Sequence, residues 1–281
     1  MTDYILSLQC PDQPGIVRSL AQGLVLADAN ILESAQFSDP ITGLFCMRVR
    51  FESPQASVEA LLGQLMTQLA AFDPVLNLRP ARQLRRALVM VSKHNHCLVD
   101  LLYRREISEL AIEMPLIVSN HPDLGPLAKH HGVPYYYIPV TPDSKADAEA
   151  QLRSLIAEYE IDVVVLARYM QVLSESFAED YYGRIINIHH SFLPGFKGAN
   201  PYLRAYERGV KMIGATAHFV TQALDEGPII EQDVIRVSHN KTPEELVALG
   251  RDVERLVLAR AVMLYAADRL QISGARTVIF D

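Results

Sequence analysis

Cysteine is scarce in this chain: Cys10, Cys46 and Cys97 are the only three in 281 residues, with no Cys-x-x-Cys spacing among them. An odd, scattered set excludes a disulfide framework and a zinc knuckle and fits buried thiols in a reducing compartment. Long apolar runs are missing too. The strand-like stretch at 163–167 falls far short of the roughly 18 residues that a membrane span needs. Residues 1–8 carry neither a basic region nor an extended apolar segment, so a cytoplasmic protein is expected. Basic residues are outnumbered, 26 against 33, for a formal charge of −7, and no Lys/Arg run stands out. That balance argues against nucleic acid or an anionic membrane surface as partner.

Several motifs are absent as well. Without His-Glu-x-x-His or His-x-x-Glu-His the nine histidines form no familiar zinc pattern, and only His94-x-His96 has a spacing seen in metal sites, so no metal is expected. A Gly-x-x-x-x-Gly-Lys loop and a Gly-x-Ser-x-Gly elbow are missing, which disfavours a nucleoside triphosphatase and a serine hydrolase.

What is present is a soluble-globular composition, 49% hydrophobic and 21% charged, with length for two modest domains. The first 80 residues cycle quickly through strand and helix signals: strands at 4–10, 30–37, 44–51 and 75–78, and helices after the Pro11-Asp12-Gln13-Pro14-Gly15 turn and at 57–72. Asp12 is suited to cap the first helix. The order β-α-β-β-α-β is the split βαβ, ferredoxin-like unit. A basic, proline-bearing linker is placed at 81–86, and residues 87–281 form a second domain. There, apolar strands at 87–91, 114–118, 135–138, 163–166 and 185–189 alternate with helices at 97–105, 124–131, 146–159 and 174–180. Such alternation calls for an α/β, Rossmann-like, mostly parallel sheet that binds ligands beyond the carboxyl ends of its strands. Further strands are expected at 212–219 and 229–237, and one long helix at 242–270. The first βα turn, Ser92-Lys93-His94-Asn95-His96, lacks glycines, so no dinucleotide cofactor is expected.

Asn187 and His189 fall on one face of the strand at 185–189, just before the loop His190-Ser191-Phe192-Leu193-Pro194. Asp225 sits in a turn between two later strands. An amide, an imidazole and a carboxylate meeting in one pocket stabilise an oxyanion and move a proton; each residue alone equally suits a strand end or an Asx turn.

The βαββαβ order and the Asp-x-Pro-Gly turn resemble an ACT domain, a small-molecule-sensing module. The segment Asn187-Ile188-His189 through Ser191-Phe192-Leu193-Pro194, followed by Leu224-Asp225-Glu226-Gly227-Pro228-Ile229-Ile230, resembles the folate-dependent formyltransferase family. An ACT-like module joined to that domain is similar to the branch that hydrolyses 10-formyltetrahydrofolate, as is the segment Gly198-Ala199-Asn200-Pro201-Tyr202. His190, where transformylases usually carry proline, and the glycine-poor first turn also point away from nucleotide binding. The resemblance implies a catalytic set of Asn187, His189 and Asp225, and a pterin pocket at Arg168, Tyr169, Met170, Gln171, Val172 and Leu173 and at Val220, Thr221, Gln222, Ala223 and Leu224. Lys197 is a further candidate, for the glutamate tail of the folate. No cofactor beyond the folate substrate is implied. An amino-acid effector is expected near Asp12, Gln13, Gly15 and Asn30, with a homo-oligomer paired through these modules. The competing readings are formyl transfer to a small amine, an amino-acid sensor with a degenerate catalytic domain, and a metal hydrolase using His94 and His96.

Overall fold

A computed structural model describes residues 1–55, 57–195 and 201–280. The chain forms two compact units, one of residues 1–84 together with 267–281, the other of residues 85–266.

The first unit starts with β1 (Thr2–Pro11), α1 (Ile16–Leu26), β2 (Asn30–Ser38), β3 (Leu44–Ser53), α2 (Val58–Leu69) and β4 (Val75–Pro80). The strands form an antiparallel sheet in the order β2-β3-β1-β4. Alternation along β1 sends Tyr4, Leu6, Leu8 and Cys10 to one face, where they pack with Leu20 and Leu24 of α1 and Leu61, Leu65 and Leu69 of α2. Ser57 caps α2 by accepting the Ala60 N–H at 3.1 Å. Asp12 does not cap α1. That helix begins at Gly15, whose φ of 102° is open to glycine at little cost, and no side chain caps it.

The second unit contains β5 (Arg85–Val91), α3 (His96–Glu106), β6 (Ile112–Ser119), α4 (Gly125–His130), β7 (Tyr135–Tyr137), α5 (Lys145–Glu158), β8 (Val163–Leu166), α6 (Glu175–Asp180), β9 (Ile185–His189), α7 (Pro201–Arg208), β10 (Met212–Phe219), β11 (Ile229–Arg236) and α8 (Pro243–Ala266). Its sheet runs β11-β10-β9-β8-β5-β6-β7, parallel from β7 through β9 and antiparallel at β10 and β11. The all-buried Val163-Val164-Val165-Leu166 of β8 reflects a strand covered on both faces. Because β5 connects outward to β6 on one side and has β8 on the other, the strand order reverses between β5 and β8. That reversal opens a crevice at the carboxyl ends of β5, β8 and β9. No described helix is long and apolar enough to cross a membrane.

The structure corrects the expected boundaries. β4 runs to Pro80 and β5 starts at Arg85, so the linker shrinks from 81–86 to 81–84. The helix expected at 242–270 ends at Ala266, and the chain then forms an unanticipated hairpin, β12 (Leu270–Ser273) and β13 (Arg276–Ile279). Residues 267–281 therefore do not belong with 87–266.

Polar contacts explain why the hairpin joins the first unit. Gln9, on the β1 face opposite Leu8, donates to the Ile272 carbonyl at 2.8 Å, and Gln271 donates to the Met47 carbonyl at 2.9 Å. The buried Asp39 carboxylate accepts from Ser273 Oγ at 2.6 Å, from the Ile41 N–H at 2.9 Å and from Arg276 at 2.5 Å. The Ser273 hydroxyl, followed by the Ile41 N–H, holds the Asp39 carboxyl well below the usual carboxylate range. A carboxyl held low in the folded state contributes its stability fully above its unfolded value of roughly 4 and loses it as pH falls further. Melting curves of wild type and Asp39→Asn should thus differ most near neutrality and converge in acid. A gap that stays constant from neutral pH to roughly pH 3 counts against this linkage.

Candidate active site

The carboxyl end of β9 carries the first two groups. Alternation places Asn187 and His189 on one face, and the antiparallel β10 sets His218 opposite Asn187 and Thr216 opposite His189. Beyond β10 the chain turns through residues 220–228 and is closed by the Phe219 N–H donating to the Pro228 carbonyl at 2.9 Å. Asp225 stands in this turn at φ 57°, a conformation that aspartate tolerates better than most residues. Gly227 lies against the strand end so closely that a Cβ there would fall 1.7 Å from the Phe219 carbonyl oxygen.

These constraints bring Asp225 Oδ1 to 3.2 Å from His189 Nδ1 and to 3.8 Å from His218 Nε2. His218 Nδ1 lies 2.8 Å from the Phe219 carbonyl, which can only accept, so Nδ1 carries the proton. Burial lowers the pKa of His218, which favours the neutral ring. Its Nε2 then accepts from the Asn187 amide at 3.2 Å, which fixes which end of that side chain is the donor. Burial pushes the Asp225 carboxyl up, but the contact with His189 and the charges of the neighbouring imidazoles outweigh it and hold it below its ordinary value. His189 Nε2 is buried and has no hydrogen-bond partner among the described residues. With Asp225 facing Nδ1, that unpartnered nitrogen is the one available for chemistry.

The cavity above these groups holds about 250 Å³. Its walls are Arg168, Tyr169, Met170, Gln171, Val172 and Leu173 after β8, and Val220, Thr221, Gln222, Ala223, Leu224 and Asp225 after β10. Met170, Val172 and Leu224 are each more than half exposed, an apolar lining open to a ligand. Ser92, at the end of β5, accepts the Met170 N–H at 2.9 Å and donates to Asn120 at 2.6 Å, so it anchors the first wall.

Behind that wall is a buried charge network. Glu254, in the middle of α8, is 1% exposed and takes contacts from His96 Nε2 at 2.8 Å and the Tyr202 hydroxyl at 2.6 Å. Arg168 Nε is 3.4 Å from the same carboxylate, too long and poorly aimed for a hydrogen bond. Arg168 Nε and Nη1 are buried without a hydrogen bond among the described residues, and the residue sits at φ 64°. Each of these features costs of order 1–3 kcal/mol. Burial, with the Arg168 charge adding to it, pushes His190 down to about 3.

His96 Nε2, Cys97 Sγ and a Glu254 oxygen come within 4.8 Å of one another. His96 Nε2 is in hydrogen-bond contact with Glu254, and the Arg168 guanidinium 3.4 Å from the same carboxylate would oppose the charge of a cation there.

Asn187, His189, Asp225 and both wall segments therefore border one cavity. Lys197 and the segment 198–200 lie outside the described residues. Asp12, Gln13, Gly15 and Asn30 belong to the first unit and are exposed. His218 was not anticipated as a site residue, although antiparallel pairing of 185–189 with 212–219 places it across from Asn187. Glu254 was missed because a carboxylate within a helix ordinarily faces solvent.

Residues 85–262 match the formyl transferase family description. The chain belongs to the formyl transferase family. Within it, the chain is similar along its length to a Synechocystis sp. protein named formyltetrahydrofolate deformylase, 47% identical with 98% of this chain and 97% of that one covered. A Bacillus subtilis protein of the same name is 43% identical, with 98% and 93% covered. Among formyl transferase family structures, the crystal structure of formyltetrahydrofolate deformylase from Burkholderia mallei superimposes with a TM-score of 0.95 at 45% identity, covering all of both chains.

Proposed function

We propose that the chain hydrolyses 10-formyltetrahydrofolate to tetrahydrofolate and formate, with neither metal nor redox cofactor. The observation that carries this reading is the meeting of Asn187, His189 and Asp225 at one cavity, in a chain that matches proteins named formyltetrahydrofolate deformylase from end to end. The pterin ring sits between the segments 168–173 and 220–224, read by backbone groups and flanked by Met170, Val172 and Leu173. Water attacks the formyl carbon and Asp225 takes its proton, directly or through His189. The Asn187 amide and protonated His189 stabilise the resulting oxyanion. His189 then supplies the proton to the leaving nitrogen as the carbon–nitrogen bond breaks. His218 is a positioning residue that orients the Asn187 amide.

The first unit is proposed to be an ACT-like regulatory module. Its four-stranded antiparallel sheet with two helices packed on one face supports that reading. Binding of an amino acid near Asp12, Gln13, Gly15 and Asn30, assembly into a homo-oligomer and a cytoplasmic location complete the proposal.

The test is to supply 10-formyltetrahydrofolate in amine-free buffer after chelator treatment and follow both products. Formate and tetrahydrofolate should appear in equal amounts at a rate indifferent to added amines. Tetrahydrofolate release that waits for an amine would make the chain a transferase, and release abolished by the chelator would make it metal-dependent.

A further inference from the structure

On the far side of the catalytic cavity lies a second one of about 370 Å³, lined by His94, His96, Tyr202, Arg251 and Glu254 among others. Among the described residues, the two cavities share only Arg168 and His190. This pair is the partition between them.

We propose that Arg168 is the receptor for the one-carbon carboxylate released by hydrolysis, and that the anion lodges between Arg168 and His190 as it passes into the second cavity. The proposal rests on the hydrolytic reading. Transfer to an amine hands the formyl group on without making an anion, whereas hydrolysis releases formate as an anion in the cavity that Arg168 and His190 line. A guanidinium presents a planar fork that matches a carboxylate. Arg168 has donors to spare, since Nε and Nη1 make no hydrogen bond among the described residues. Glu254 accepts from His96 and Tyr202 and lies 3.4 Å from Arg168 Nε, an ion-pair contact that makes no hydrogen bond with that nitrogen. A positive φ and two unsatisfied buried donors at one residue point to an acceptor supplied by a ligand. The Arg168 charge is felt on both sides of the partition. After burial, it is the next largest influence disfavouring protonation of His190 on one side and His94 on the other.

The test is a titration of the full-length protein with ¹³C-formate, followed by the line width of the formate signal. Wild type should bind saturably. Arg168→Gly, which accepts the positive φ without strain, should bind at least about tenfold more weakly, as expected for losing charge-assisted hydrogen bonds. Arg168→Gln keeps the chain length, loses the charge and should behave alike. Retained affinity in either folded variant, or no saturable binding in wild type, overturns the proposal. In wild type alone, formate should move the ring signals of both His190 and His94, and an unmoved pair overturns it equally. Binding needs no turnover, so the two readings fail separately. Formate binding through Arg168 without release of formate from 10-formyltetrahydrofolate refutes only the hydrolytic reading, and turnover with Arg168-independent binding refutes only the receptor.

Discussion

Asp225→Asn is expected to lower kcat by about 10²- to 10⁴-fold while leaving KM for 10-formyltetrahydrofolate within a few-fold of wild type. The substitution keeps size and removes the charge that faces His189 Nδ1 at 3.2 Å. Without that carboxylate the imidazole loses both the partner that sets its tautomer and the counter-charge for its protonated form. On the proposed reading the pterin is held by other walls, the segments 168–173 and 220–224 that line the cavity, so ground-state binding has little reason to change. Steady-state kinetics on the purified variant decide the matter. Turnover near that of wild type removes Asp225 from the chemistry, and a defect confined to KM makes it a binding residue.

Gly227→Ala is expected to lower kcat by at least about 10²-fold, although residue 227 has no functional group to lose. The added methyl would lie 1.7 Å from the Phe219 carbonyl oxygen, which is backbone at the end of a paired strand and cannot swing aside. The turn must move instead, and Asp225 moves with it, two residues away. A displacement near 1 Å suffices for a loss of this size. Overpacking at the strand end should also cost about 1–3 kcal/mol in stability, measured as a lower melting temperature. A variant with wild-type kinetics would mean that the turn relaxes without carrying Asp225 along.

How far the molecule can be read from its residues depends on where each element finds its partners. β8 and β9 are legible to the residue because a strand covered on both faces advertises itself as an unbroken apolar run, as in Val163-Val164-Val165-Leu166. The convergence of Asn187, His189 and Asp225 was legible through motif and alternation. α1 was misread at its start because Asp12 has the right chemistry for a cap, while the turn is shaped by Gly15 at positive φ. The closing hairpin left no local signal: its strands are four residues each and part polar, and what holds them is Gln9, Asp39 and Met47, more than 220 positions earlier. Glu254, and the pairing of Arg168 with it, escaped for a related reason, although Arg168 itself was expected as a pocket wall. A buried ion pair is stabilised by partners that only the folded chain assembles.

That distant hairpin also bears on the order of events while the protein is being made. Domains usually fold as they emerge, the N-terminal one first. Here the first sheet reaches solvent early but lacks the segment 267–281 that supplies Ser273 and Arg276 to Asp39 and Ile272 to Gln9. The unit at 85–266 is continuous and has all its parts as soon as α8 has emerged. Synthesis therefore supplies the last residue of the unit at 85–266 before it supplies the last of the first unit, and a chain ending at residue 266 would hold every described residue of the candidate site while its Asp39 still lacked Ser273 and Arg276.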